Sequence, residues 1–525
     1  MKTEVSPAPA RATRPAFAVG AGIFLSRVAG FARDVLFAAF FGTSVAADVY
    51  AAALRIPNIL RNLLGEGTLS ASFIPVYSGL LGRDAGSDAR RLAGTILGLL
   101  LVLAAALSGL GIALAPWITR LVVVGWSPES RALTVPLVRI LFPMAGFMIL
   151  AAWCLGILNS HRRFFLSFAA PVFWNLAQIV GLLIAWRAGF EPLIVALAWS
   201  TLIGGALQFL VQLPAAWRLA GRLRLSLDLG WEASRRVVTN FGPVVVGAGV
   251  TQMSSFLDLF LASFLAHGAV SALYYGQRLY FLPLSLFGIS IAASALPELS
   301  REAGAERFDA LRARIRNGFR NVAFAVLPSC FAFILFGDWI VSLLFERGDF
   351  SSADTRVVYH TLAAYSIGLL AASSAKLFAS AFHAMLDTRT PVRYAVGGVI
   401  VGAGTGAALM WPFFAPGLAL GSALGAWTNL SLLWTGLRRR IGPVFSRADL
   451  VFVLGLVLAC ATGGAVGMVV ERALASLTSS APPLLARFLV TAGTLGTFGA
   501  VYLGIAWGLK LVPASGLRAP TERGP

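Results

Sequence analysis

Charge is scarce in this sequence. Only 12% of its 525 residues are Asp, Glu, Lys or Arg, about half the share of an ordinary soluble domain. The three cysteines, Cys154, Cys330 and Cys460, each sit inside an apolar segment. Their separation excludes a metal or redox motif and marks them as small packing residues. The four histidines, His161, His267, His360 and His383, are scattered at or near the ends of apolar segments. No Ser/His/Asp arrangement, Asp-rich metal pattern or Walker loop accompanies them, so neither catalysis nor nucleotide-driven work has the groups it needs. The longest loops, 214 to 237 and 298 to 318, are too short for a soluble domain. They are basic and amphipathic in places, and are expected to lie along the membrane interface.

What the sequence has in abundance is apolar length. Hydrophobic residues make up 58% of the chain, in continuous runs rather than the ten-residue alternation of a barrel. Only helices or closed barrels satisfy the backbone inside a bilayer, and a helix needs roughly 20 apolar residues to cross it. An all-α polytopic membrane protein follows. Spans are predicted near 16–41, 46–80 (interrupted), 92–117, 133–158, 168–187, 192–214, 238–265, 271–297, 319–344, 357–384, 391–410, 416–436, 449–470 and 486–509, which makes about 14 transmembrane helices. The first lacks a small-residue cleavage site and is expected to remain as a helix.

Basic residues test that count, because cytoplasmic loops collect them. With the N-terminus inside, the inside segments hold 28 of the 42 Lys and Arg, the outside loops seven, and the spans seven. This bias places both termini in the cytoplasm. It also explains the net charge of +19 without nucleic acid, since the charges are not gathered on one soluble face.

The chain repeats itself. "VGAGIFLSRVAGFARDVLFAAFFG" from 19 is echoed by "VGAGVTQMSSFLDLFLASFLAHG" from 246, and "HRRFFLSFAAPV" by "HAMLDTRTPV", at offsets of about 220 to 227 residues. Six spans separate the copies, so they share one orientation. The expected organisation is two pseudosymmetric six-helix lobes, 1–217 and 218–440, followed by two C-terminal helices in 441–525. Such lobes suggest a central cavity and rocking between inward-open and outward-open states, which is a transporter architecture.

A charge at the bilayer centre costs roughly 2.5 to 3.5 kcal/mol on insertion scales, so charged residues there face the bundle interior. Span 1 carries Arg27, Arg33 and Asp34; span 2 carries Asp48, Arg55, Arg61 and Glu66; span 8 carries Arg278. Arg27 and Asp34 are seven apart and share a face, so partial pairing through a neighbour is expected, with Arg33 about 120° away. Five arginines against three acids leave positive charge over, for which an anionic ligand is the economical partner, and guanidinium forks suit phosphate oxygens. Pro57 and the Gly65-Glu66-Gly67 triplet interrupt span 2 and mark a gating or binding helix. Arg139 and Lys376 stand alone and read as snorkelling side chains.

"SRVAGFARD", "LRIPNILRNLLGEGTLSASFIPVYS" and "YYGQRLYFLPLSLFGISIAASALPELS" resemble signatures of the MurJ/MviN family of lipid II flippases, within the MATE-like (MOP) exporter superfamily. The resemblance covers nearly the whole chain. It implies transport of undecaprenyl-diphosphate carrying a disaccharide-pentapeptide from the inner to the outer leaflet of a bacterial cytoplasmic membrane, with membrane lipids around the protein and cell-wall synthesis proteins as partners. It implies functional roles for Arg27, Arg33, Arg61 and Arg278, and for Asp48 and Glu66. Where relatives often have an acid before the span 8 arginine, this chain has Gln277. Some members have a sodium site between spans 7 and 11; Asp258 and Asp387 match two of its ligands, while His383 and Ala403 stand where further oxygen ligands are expected. No cofactor is implied, and membrane potential or Na+ is the expected coupling. The alternatives are a flippase for another polyprenyl-diphosphate glycan, a drug exporter, which would favour acids over arginines, and a membrane enzyme acting on the same lipid.

Overall fold

The computed structural model describes residues 13–513. Among these every regular element is helical, and the chain divides into two compact units, Met1–Phe260 and Leu261–Pro525.

The first unit contains α1 (Thr13–Phe41), α2 (Val45–Leu64), α3 (Glu66–Leu81), α4 (Gly86–Val122), α5 (Pro128–Ser160), α6 (Phe164–Ala169), α7 (Pro171–Arg187) and α8 (Leu193–Ala220), with α9 (Glu232–Ala262) as far as Phe260. At its centre is α5, packed by α2, α3, α4 and α8. Burial on all sides requires an apolar helix all round, and α5 supplies Leu141, Ile149, Trp153 and Ile157, all within 1% of complete burial. Trp153 still has a donor to satisfy, and Nε1 gives it to the Ala93 carbonyl at 3.1 Å. On α4, by contrast, Val102, Leu110, Leu114, Trp117 and Leu121 are exposed, the pattern of a helix facing lipid.

Span 2 breaks where expected, but not at Pro57. Helix α2 runs through Pro57 and ends at Gly65, whose N–H caps the Arg61 carbonyl at 2.7 Å. A Cβ at Gly65 would lie 2.4 Å from that same oxygen, so the turn admits only glycine.

After α8, residues 221–229 carry no helix and run as a strap along α4. Gly94 and Gly98 make room for it: a Cβ would meet the Arg224 carbonyl oxygen at 2.2 Å or that of Ser226 at 2.4 Å. Thr95 and Ser226 share a 2.7 Å hydrogen bond, Arg91 pairs with Asp228 at 2.7 Å, and the Arg91 guanidinium lies 4.7 Å over Trp231. The second basic loop, 298–318, is instead mostly helical, absorbed into the two helices that flank it.

The second unit holds α10 (Ala269–Pro283), a π-helical turn (Leu284–Ile289), α11 (Ser290–Gly304), α12 (Phe308–Phe345), α13 (Ser352–Ile367), α14 (Leu369–Ala384), α15 (Arg389–Ile441), α16 (Arg447–Leu477) and α17 (Pro483–Gly508). The π turn directly follows Pro283, which has no N–H to continue the α ladder. Both spans expected at 391–410 and 416–436 lie within α15, which reverses at Phe414 (φ 57°, ψ −139°). Its halves meet backbone to backbone: a Cβ on Gly421 would lie 2.4 Å from Gly406 Cα, and one on Gly425 2.5 Å from the Gly398 oxygen. Small residues permit this approach, which lipid alone would not drive.

The C-terminal pair is clamped onto α12. Arg320 pairs with Asp449 at 2.6 Å, Tyr502 donates to the Phe324 carbonyl at 2.6 Å, Trp339 Nε1 donates to Glu471 at 2.8 Å, and Arg487 pairs with Glu346 at 2.7 Å.

Each expected span overlaps one helix or a run of consecutive helices, but the count of 14 is not reached by length and apolarity. Among the described residues nine helices qualify, or up to ten with the bent pair α13–α14. Helix α2 is not among them because Asp48, Arg55 and Arg61 all lie within its 20 residues.

Candidate functional site

Arg33 of α1 and Arg61 of α2 converge on Trp174 of α7. Arg33 and Asp34 are both buried, and Asp34 accepts from Arg33 Nη2 at 2.6 Å and from Nε at 3.2 Å. Asp34 is thus engaged by the arginine adjacent to it in the chain. Arg33 Nη1 donates to Asn175 Oδ1 at 3.0 Å, and its guanidinium carbon stands 4.9 Å from the Trp174 ring. Arg61, arriving from α2, approaches the same ring at 5.9 Å. One indole therefore gathers two cations, a favourable arrangement for a quadrupole in a low-dielectric setting. Asn175 is fixed in turn by donating to the Pro171 carbonyl at 3.1 Å and that of Ser26 at 3.4 Å.

Around this cluster, Arg27 is exposed and Arg55 and Arg61 are half-buried. Asp48 is buried in the first turn of α2, where the helix dipole favours an acid. Beside it, Tyr50 donates to Gln178 Oε1 at 3.1 Å and shares a 2.7 Å hydrogen bond with Thr201. The Glu66 side chain lies outside the described residues. Trp174, Asn175, Tyr50, Gln178 and Thr201 were not singled out from sequence. The available signal was polar Asn175 and Gln178, three apart, in the apolar run of α7.

In the second unit Arg278 is exposed on α10, 4.7 Å over the Tyr274 ring and donating to its hydroxyl at 3.0 Å. Gln277 donates to the Tyr365 hydroxyl at 2.9 Å, so the amide at this position has its own partner on α13. Arg139 and Lys376 are exposed.

Asp258 lies on α9 in the first unit and Asp387 in the second, before α15. Asp387 caps that helix: Oδ1 accepts from the Arg389 and Thr390 N–H groups at 3.0 Å each, and Oδ2 from the Thr390 hydroxyl at 2.6 Å and from Arg440. These donors, with the Thr390 hydroxyl foremost, hold its carboxyl down at about 2. Among the described residues no three His, Cys, Asp or Glu are grouped to hold a metal ion.

Long apolar helices with side chains exposed outward, and Arg33, Asp34 and Asp48 buried, define a multi-pass membrane protein. The fold is that of the MATE-like exporters: an inward-facing multidrug resistance MATE transporter of the MOP superfamily superposes with a TM-score of 0.68 at 15% identity, covering 82% of this chain and 98% of that one. The chain belongs to the MurJ family, whose description, "Lipid II flippase MurJ", matches residues 37–485. The probable lipid II flippase MurJ of Rhizobium meliloti is 32% identical, covering 96% of this chain and 95% of the relative. That of Vibrio cholerae is also 32% identical, at 96% and 97%. The lipid II flippase MurJ of Burkholderia cenocepacia is 33% identical, at 79% and 82%. A solved lipid II flippase MurJ in an inward closed conformation superposes with a TM-score of 0.78 at 23% identity, over 94% of this chain and 98% of that one.

Proposed function

We propose that this protein flips lipid II, the undecaprenyl-diphosphate-linked peptidoglycan precursor, from the inner to the outer leaflet of a bacterial cytoplasmic membrane. Membership of the family carries the substrate. The observation that carries the chemistry is the gathering of Arg33 and Arg61 around Trp174, with Arg27 exposed on the same helix as Arg33.

In this reading Arg27 and Arg61 engage the diphosphate, whose oxygens suit guanidinium forks, and Arg278 is a further phosphate-binding arginine of the second unit. Arg33 is bound to Asp34 and Asn175 and sets the position of Trp174. Asp48 and Glu66 balance the arginines, and the turn at Gly65 lets α2 and α3 move as separate pieces. The lobes of the repeat alternate access to the two leaflets, with both termini in the cytoplasm. The lipid tail stays in the bilayer along α16 and α17, where Leu450, Val451, Leu454 and Leu458 are exposed. Since Asp387 is engaged as a helix cap, membrane potential rather than sodium resets the transporter; each charge moved is worth about 2.3 kcal/mol per 100 mV. The transported lipid then meets the polymerising enzymes of the cell wall.

The protein acts without changing its substrate. Reconstituted in liposomes with fluorescent lipid II, it should make the internal lipid accessible to an external quencher while the recovered lipid is chemically unaltered. A cleaved or polymerised product would instead make it an enzyme.

A further inference from the structure

A second basic site lies where α5 ends. Where that helix stops, Arg162 adopts a left-handed conformation (φ 59°) and turns the chain into α6. The turn and the last two turns of α8 enclose a cavity of about 550 Å³, within the range of small-ligand sites. Three guanidiniums line it, those of Arg162, Arg163 and Arg218, together with Phe164, Phe165 and Leu219. All three arginines are exposed, and among the described residues none has a carboxylate partner.

The occupant follows from the position and the lining. Beyond the cavity, α7 and α8 present Leu176, Val180, Ile203 and Leu210 outward, the surface of helices in lipid. The cavity stands where these apolar stretches end, at the level of headgroups. A ligand matching it has an anionic head for the arginines and an apolar stem for Phe164, Phe165 and Leu219. Inorganic phosphate supplies only the first. We propose that this cavity binds one anionic phospholipid of the surrounding leaflet, phosphate among the arginines and acyl chains descending along α7 and α8. Assigning that leaflet to the cytoplasmic side rests on the charge-bias orientation; the binding itself does not depend on the transported substrate.

Native mass spectrometry of the full chain in detergent, titrated with phosphatidylglycerol or phosphatidylcholine, tests this directly. Wild type should retain one tightly held phosphatidylglycerol that phosphatidylcholine does not replace. R162Q/R163Q/R218Q should weaken that binding by about tenfold or more, the scale expected when juxtamembrane arginines are lost. R438Q/R439Q/R447Q, an equal loss of exposed charge elsewhere, should leave it intact. F165Q should weaken the lipid while leaving any competition by inorganic phosphate unchanged. Equal retention by wild type and the first triple variant, equal weakening by both triple variants, or displacement of the lipid by millimolar phosphate would each overturn the proposal. Lipid II transport by these variants is a separate readout, so failure here and failure of the flippase reading are distinguishable.

Discussion

Asp34 and Arg33, adjacent in the chain, form an ion pair at 2.6 Å with side chains only 7% and 8% exposed. Removing one partner of such a buried pair costs about 3 to 5 kcal/mol. Asp34→Ala should therefore destabilise the protein strongly, while Arg33→Met with Asp34→Leu should recover much of the loss. Thermal unfolding in detergent measures this. Equal destabilisation by the single and double changes would show that the pair is not coupled.

The hairpin of α15 depends on glycines that touch. Gly421→Leu should abolish folded protein, because its Cβ alone would sit 2.4 Å from Gly406 Cα and backbone cannot yield as a side chain does. Gly404→Ala, with nothing within 4 Å, should be neutral. Size-exclusion profiles of the two variants give the comparison, and a monodisperse Gly421→Leu peak would refute the packing.

Asp387 predicts a pH signature. Its carboxyl is held near 2 in the folded chain, below its ordinary value, so its contribution is complete above about pH 5 and is lost as pH falls towards 2. Asp387→Ala should cost about 1 kcal/mol, typical of a lost N-cap, with the gap from wild type constant at neutral pH and closing in acid. A gap that widened in acid would contradict the assignment.

The strap over α4 can be lifted. Gly94→Leu or Gly98→Leu should displace residues 221–229, and trypsin should then cut at Arg222 and Arg224 about tenfold faster or more, since local opening sets the rate. Unchanged cleavage would mean that the strap does not need the groove.

These features differ in how far the sequence revealed them. Apolar run length marked the spans, and Gly65 with its glycine neighbour marked the break in α2, because both depend on local chemistry. The reversal of α15 was marked as well, by the gap between the spans 391–410 and 416–436 that Pro412 and Pro416 open, although the positive φ of Phe414 has no compositional sign of its own. The strap was illegible because its seat is made by what Gly94 and Gly98 lack. At the candidate site, Arg27, Arg33, Arg61 and Asp34 stood out as charges in apolar helices. Trp174 did not, since an indole in an apolar span reads as packing until two guanidiniums are placed over it. The Arg33–Asp34 pair was not read from the sequence because helical spacing describes Cβ positions, and an arginine reaches well beyond its own.

The central claim is that the arginines of α1 and α2 carry an anionic lipid precursor across the membrane. Its most direct measurement is lipid II on the outer leaflet of cells depleted of this protein and complemented with wild type, Arg27→Ala or Arg61→Ala, each at equal membrane abundance. Wild type should restore exposure and both variants should leave it near the depleted level. Full restoration by both variants, or no fall on depletion, would contradict the account.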